Sequence, residues 1–263
     1  METALNITSA NTGESLEFIV EVIERKLQTT QYKHQSNNID DIDGFGLQIF
    51  DKILTSLKTL ILICNKSKDY PAACNLLRMI ADSLSTYKLI YSSKDIEEKK
   101  FRHYLYVLDG ITSRKKLMQN DIFNDGTLSV NEFKQLLKQY ESTRQSDNDA
   151  IKHCNEKLNN HIYSQNYPEF HKLSINKCNW RYKDKVSSSI NKNRYSWEDM
   201  YRLLGLPNYF ISFISLHLSQ YSHGLCVSNL IHPKGENDFT PILSFGIIFA
   251  GKLINEIDPT ILR

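Results

Sequence analysis

Glycine and proline are scarce. The 263 residues hold only 10 Gly and 6 Pro, and a β-sandwich or barrel needs more tight turns than these supply. Cysteine is sparse and odd in number. Cys64, Cys74, Cys154, Cys178 and Cys226 are widely spaced and form no CxxC pair. Neither a disulfide framework nor a zinc site is indicated, and a reducing cytoplasm is the expected compartment. Long hydrophobic runs are missing as well. The most apolar stretch, 241–251, is too short to span a bilayer, so no membrane partner is expected. The first eighteen residues lack the basic and then apolar order of a signal peptide. Charge is balanced too: the formal net charge of +2 predicts neither nucleic-acid nor membrane binding by itself. There is no P-loop, dinucleotide fingerprint, GxSxG or HExxH motif.

What is present is helical periodicity. Leu16, Ile19, Val20, Ile23 and Leu27 share one helical face, after a frayed start over 1–14. The polar stretch 28–44 reads as a loop. Leu47, Phe50, Leu54, Leu57 and Ile61 then predict a helix over 45–64. A third helix follows Asp69, with Pro71 in its first turn, where a missing N–H is harmless. A fourth covers about 95–118. From Val130 the residues Phe133, Leu137, Tyr140, Arg144, Asp147, Ile151, Cys154, Leu158 and Ile162 recur at alternating steps of three and four. That is a near-heptad seam with two polar interruptions, predicting one long helix or two collinear ones broken near 146–149. Ser196 to Asp199 reads as a capping box opening a helix that stops before Pro207. Further helices are predicted over 210–221 and from Thr240 to about 257. The expectation is an all-α, multi-helix bundle, with 15–263 as a single helical domain.

Residues 121–132 resemble an EF-hand calcium loop. Asp121 and Asp125 stand at the first and fifth positions, Gly126 at the sixth, Leu128 at the eighth and Glu132 at the twelfth. Phe123 at the third position supplies no oxygen, and no paired second loop exists. Asn124-Asp125-Gly126 is equally a turn signal, and Ser129 with Glu132 a capping box. No metal ligand is therefore assigned here, nor to His153, His161 and His171, whose spacing does not put them on one helical face.

Arg78 lies away from the Leu77, Ile80 and Leu84 stripe, one turn before Asp82, so the two can pair. Its neighbours on that face, Cys74, Ala81, Ser85 and Leu89, are not those of a solvated surface. Small residues there predict the close approach of another helix or a ligand, and a guanidinium in such a place suits phosphate or carboxylate. Near the other end of the chain, His223 and Gly224 follow the helix predicted over 210–221, with Ser219, Tyr221 and Ser222 close by. A histidine there is either a partner for the helix dipole or a general acid or base. A third feature is the basic, aromatic segment containing Trp180, Arg181 and Lys183, which would contact nucleic acid by stacking and charge or serve as a loop anchored by Trp180.

Two segments carry a resemblance. Leu76-Leu77-Arg78 with Asp82, and Leu218-Ser219 with His223, resemble the two shared motifs of a group of uncharacterised prokaryotic helical proteins, themselves distantly similar to the HEPN superfamily. The resemblance extends over about 45–255, and its specific part is about twenty residues. HEPN domains are helical bundles, often dimeric, and many are metal-independent ribonucleases of defence or toxin systems. The resemblance implies a HEPN-like core with additional helices, RNA or a nucleotide as partner, a homodimer and no cofactor. It also implies a site in which Arg78 binds phosphate, Asp82 orients it and His223 moves a proton. This chain departs from the Arg-x(4–6)-His spacing of active HEPN domains, since none of its eight His residues follows an Arg at that distance. Arg78 and His223 must meet across the fold. Two other functions stay open: a non-catalytic helical interaction module, and a calcium-responsive protein acting through 121–132.

Overall fold

The structure is a computed structural model that describes residues 9–28, 38–117, 124–186, 192–222 and 235–256. Among these the chain is all-α. They contain no strand, only an isolated antiparallel bridge between Tyr182 and Arg194. None of the described helices is long and apolar enough to cross a membrane. Within the stretch read as one domain, the chain groups into two compact units. Unit 1 takes residues up to Ser93 and from Ser196 onward, and unit 2 takes Lys94–Tyr195.

Unit 1 is built on α1 (Ser9–Gln28), α2 (Ile42–Leu62), α3 (Tyr70–Ile90), α8 (Trp197–Leu203), α9 (Asn208–Ser212), α10 (Ser219–Ser222) and α11 (Thr240–Glu256). The first helix begins at Ser9, six residues earlier than the apolar stripe suggested, and Thr12 and Gly13 are already buried in it. Asp41 opens α2 by accepting the Gly44 N–H, so the helix starts inside the expected loop. Between α2 and α3 the chain widens into a π-helical stretch, Ile63–Ser67, and stops at Lys68 in a left-handed conformation (φ 54°), whose N–H returns to the Ile63 carbonyl. Asp69 then caps α3 by accepting the Ala72 N–H, with Pro71 in the first turn.

The core of unit 1 is where α1, α2, α3 and α11 meet. Leu16, Leu57, Leu60, Leu77, Leu84 and Phe249 are fully or almost fully removed from solvent. Gly246 sets how closely three of these helices approach. A Cβ there would stand 2.8 Å from Leu16 Cδ2 and 3.3 Å from Leu60 Cδ2. At the far end, the Glu256 carboxylate accepts from Lys88 Nζ (2.6 Å) and Ser92 Oγ (2.5 Å), fastening the end of α11 to the end of α3.

Unit 2 is a helical hairpin of α4 (Ile96–Leu117) and α5 (Val130–Asn159), closed by α6 (Ile162–Asn166) and α7 (Pro168–Asn176). The Ser129 and Glu132 capping box forms in both directions. The helix does not break near 146–149, because its polar residues have partners. Asp147 is buried and pairs with Arg114, and Asn148 Oδ1 accepts from Lys115 Nζ. Arg102, buried on α4, is held by Glu98, by the Trp180 carbonyl (2.8 Å) and by the Tyr182 ring 3.7 Å away. Around Phe101 gather His161, Tyr163, Phe170, His171 and Tyr182, with ring centroids 5.0 to 6.2 Å from it.

Two outcomes follow from this packing. Gly246→Ala overpacks the α1, α2 and α11 junction and lowers unfolding free energy by about 1–3 kcal/mol, read as a lower urea midpoint. Burial holds the imidazoles of His161 and His171 below the ordinary histidine range, although Glu97, with its oxygen 3.2 Å from His161 Nε2, favours the charged form of His161. Their neutral forms are the ones the fold accommodates. That stability is complete above the unfolded pKa of about 6.5 and is lost as pH falls through the depressed folded values. The melting temperature therefore drops between neutral and mildly acidic pH, and His161→Asn, which keeps an acceptor for the Tyr163 N–H, flattens the drop.

Candidate functional site

Tyr70, Cys74, Arg78 and Asp82 succeed one another at four-residue steps, so α3 carries them along one side. Cys74, Ala81 and Ser85 are completely buried. The small residues around Arg78 do mark close approach, and the approaching element is α8. Its capping box, Ser196 with Asp199, starts a short helix that buries Met200 and Tyr201. Tyr201, fully buried, donates its hydroxyl to Asp82 Oδ1 at 2.5 Å. Burial and the Asp82 charge push the Tyr201 hydroxyl pKa upward, and the neighbouring Arg78 guanidinium partly offsets this. The donor is thus a neutral phenol at any working pH.

Arg78 Nε lies 3.8 Å from Asp82 Oδ2, at the outer edge of ion pairing, with side-chain exposures of 17% and 29%. The Arg78 Nη1 atom is buried and has no hydrogen-bond partner among the described residues. A guanidinium donor removed from water and left unsatisfied is costly. It is also the feature an incoming phosphate or carboxylate oxygen would complete.

Two turns earlier on α3, Tyr70 reaches a second polar partner. Its hydroxyl and His217 Nε2 are 3.1 Å apart. His217 stands in a π-helical stretch, Phe213–Leu218, between α9 and α10, and its ring stacks on Phe213 at 4.8 Å. Burial depresses its pKa. Tyr221 and Phe239 pack edge-on against Tyr70. The Cys64 and Cys74 thiols are both pushed up to about 12 by burial, so neither is a nucleophile.

Of the three residues expected to form a catalytic set, the structure brings Arg78 and Asp82 together. His223 lies outside the described residues. Tyr201 and the Tyr70–His217 pair were not anticipated. The spacing of Trp197 and Tyr201 four residues apart after a capping box signals a helix with an aromatic side, but nothing in it points to a carboxylate 119 positions away.

The nucleic-acid candidates lie in unit 2. Trp180 is 5% exposed, and its Nε1 donates to Asp109 Oδ2 at 3.0 Å while Tyr106 meets its ring edge-on. A ring held in this way anchors its loop, which leaves little face for stacking a base. Arg181 is half-buried beside the Trp180 ring, and exposed Lys183 stands 5.5 Å from the Tyr195 ring centroid. Of the calcium-like loop, residues 124–132 are described. Asp125 Oδ1 accepts from the Thr127 N–H and hydroxyl, and Glu132 accepts the Ser129 N–H. Asp121 and Phe123 lie outside the described residues. No group of three or more His, Cys, Asp or Glu side chains among the described residues could hold a metal ion.

No protein-family model, curated protein or solved structure matches the chain. The class that the fold defines is all-α, with a polar row on the α3 side of unit 1.

The bond from Tyr201 carries a direct expectation. Tyr201→Phe removes the donor and leaves the half-buried Asp82 carboxylate short of a partner, lowering stability by about 1–3 kcal/mol. Asp82→Asn keeps an oxygen acceptor for the phenol but withdraws the charge that answers Arg78, and costs at least as much. Chemical denaturation of the two variants measures the difference.

Proposed function

We propose that this chain is a HEPN-like helical protein that binds RNA or a nucleotide through phosphate, with Arg78 as the anchor. The observation behind this reading is the buried Nη1 of Arg78, which has no partner among the described residues. Asp82 is held by Tyr201, so it fixes the guanidinium loosely at 3.8 Å and leaves donor capacity over. A bidentate oxygen acceptor supplied from outside fits that arrangement. The resemblance of the Arg78–Asp82 segment and of the segment ending at His223 to the two shared motifs supports RNA as the phosphate source. In this reading Arg78 steadies the phosphate, Asp82 orients Arg78, and His223 moves the proton.

A second reading has its own support. The Tyr201 hydroxyl is fully buried and its bond to Asp82 is short, which is also how a polar latch between α3 and α8 looks. The chain would then be a helical interaction module, with Arg78 part of the latch.

The two separate experimentally. Fluorescence anisotropy with a single-stranded RNA oligonucleotide, alongside a gel assay of its integrity, reads binding and cleavage. For phosphate anchoring, Arg78→Ala weakens binding at least tenfold with little change in melting temperature, and His223→Ala abolishes cleavage while binding persists. If Arg78→Ala instead lowers stability by about 1–3 kcal/mol and wild type neither binds nor cuts RNA, the latch reading holds.

A further inference from the structure

Asp-Gly occurs three times in the sequence, at Asp43-Gly44, Asp109-Gly110 and Asp125-Gly126. In such a pair the glycine nitrogen can attack the carboxyl carbon of the preceding side chain, because glycine has no side chain to shield it. The local backbone decides whether it does. Two of the pairs are fixed. Asp43 and Gly44 lie in the first turn of α2, where Gly44 is buried and its N–H is taken by Asp41. Asp109 and Gly110 lie inside α4, and the Asp109 carboxylate accepts from the Trp180 indole at 3.0 Å. Helical geometry holds both glycine nitrogens in place, and ring closure would have to break it. Asp125-Gly126 differs in each respect. It stands outside any helix, in the connection that precedes Ser129, and residues 124–129 are all exposed. Gly126 has φ 91°, with open space where a Cβ would sit.

We infer that Asp125 is a site of spontaneous modification, converting to isoaspartate through a succinimide closed by the Gly126 nitrogen. The modification is independent of the Arg78 site and of any metal. Asp125 Oδ1 accepts the Thr127 N–H at 3.0 Å and the Thr127 hydroxyl at 2.6 Å. Accepting from a residue two positions ahead folds the carboxyl back over the intervening Gly126 peptide. The Gly126 N–H is itself taken by Asn124 Oδ1 at 3.1 Å. That bond lies in the peptide plane and leaves the faces of the nitrogen open, and ring closure uses a face. In the first step the bond from the Gly126 nitrogen to Asp125 Cγ forms and a Cγ–O bond breaks. The amide proton, a proton from solvent and the departing oxygen leave together as water. In the second step water adds to the ring. Addition at Cγ restores aspartate. Addition at the main-chain carbonyl carbon leaves the chain running through Cγ, with one extra backbone methylene and a free α-carboxylate. Mass and charge are unchanged over the two steps, and no oxidant or cofactor is consumed. The Thr127 bonds are lost on conversion, whereas Ser129 and Glu132 bond to each other and keep the cap of α5.

Peptide mapping of the full chain, aged for several weeks at neutral pH and body temperature, reads the change. An endoprotease that cuts before aspartate leaves an isomerised position uncut, and mass spectrometry locates it. The expected result is isoaspartate accumulating at Asp125 while Asp43 and Asp109 stay aspartate, with a minor species one water lighter at the same peptide. The helical circular dichroism of the aged protein is unchanged. Asp125→Glu, whose longer side chain closes a larger ring slowly, abolishes the signal. In concentrated urea, where the helices are gone, Asp43 and Asp109 isomerise as well. A native chain that keeps aspartate at position 125 throughout overturns the inference. So does isomerisation at Asp43 or Asp109 as fast as at Asp125 in the native protein, a signal that survives Asp125→Glu, or a denatured chain in which Asp43 and Asp109 remain protected.

Discussion

A helix buried along most of its length cannot carry a guanidinium and a carboxylate unless something answers both. That constraint governs unit 1. α3 is packed by α2 and α11 on its apolar stripe and by α8 and α10 along the row Tyr70, Cys74, Arg78 and Asp82. Asp82 finds the Tyr201 hydroxyl, Tyr70 finds His217, and Arg78 is left with a donor that no described residue accepts. The placement of α8 is inseparable from this, because its one fully buried polar-tipped side chain is the one that reaches Asp82. Burial makes the phenol a reliable donor by disfavouring its ionised form.

The same physics, answered differently, holds unit 2. Arg102 is more deeply buried than Arg78, yet it is surrounded: Glu98 neutralises it, a backbone carbonyl takes one donor and an aromatic face covers it. Set beside each other, the two arginines differ in one respect: Arg102 is answered on every side, and Arg78 keeps one buried donor without a partner among the described residues. Asp147 offers a third case. It interrupts an apolar seam, and Arg114 turns the interruption into a register pin for the hairpin.

Much of the helical layout was legible, for local reasons. Asp69 with Pro71, Ser129 with Glu132 and Ser196 with Asp199 start helices through their own side chains, and each does so in the structure. The pairing of Arg78 with Asp82 was legible for the same reason, being one turn apart. What could not be read depends on distant packing. The π-helical stretches at 63–67 and 213–218 arise inside ordinary helical patterns, and no composition marks them. The left-handed Lys68 stands where glycine would be expected. Tyr201 and His217 acquire their roles only when α8 and the 208–222 segment meet α3. Trp180 drew attention as a basic-aromatic neighbour, yet its indole nitrogen is spent on Asp109.

The order of the two units along the chain has a bearing on synthesis. Unit 1 is drawn from segments on either side of unit 2 in the sequence. On the ribosome, α1 to α3 emerge before α11, with the surface that will receive it still uncovered. The hairpin between them can be completed while that surface waits, because its contacts are closer together in sequence. The nascent chain thus carries an unpaired apolar face until α11 is made, and the synthesis of α11 rather than collapse sets when unit 1 can close.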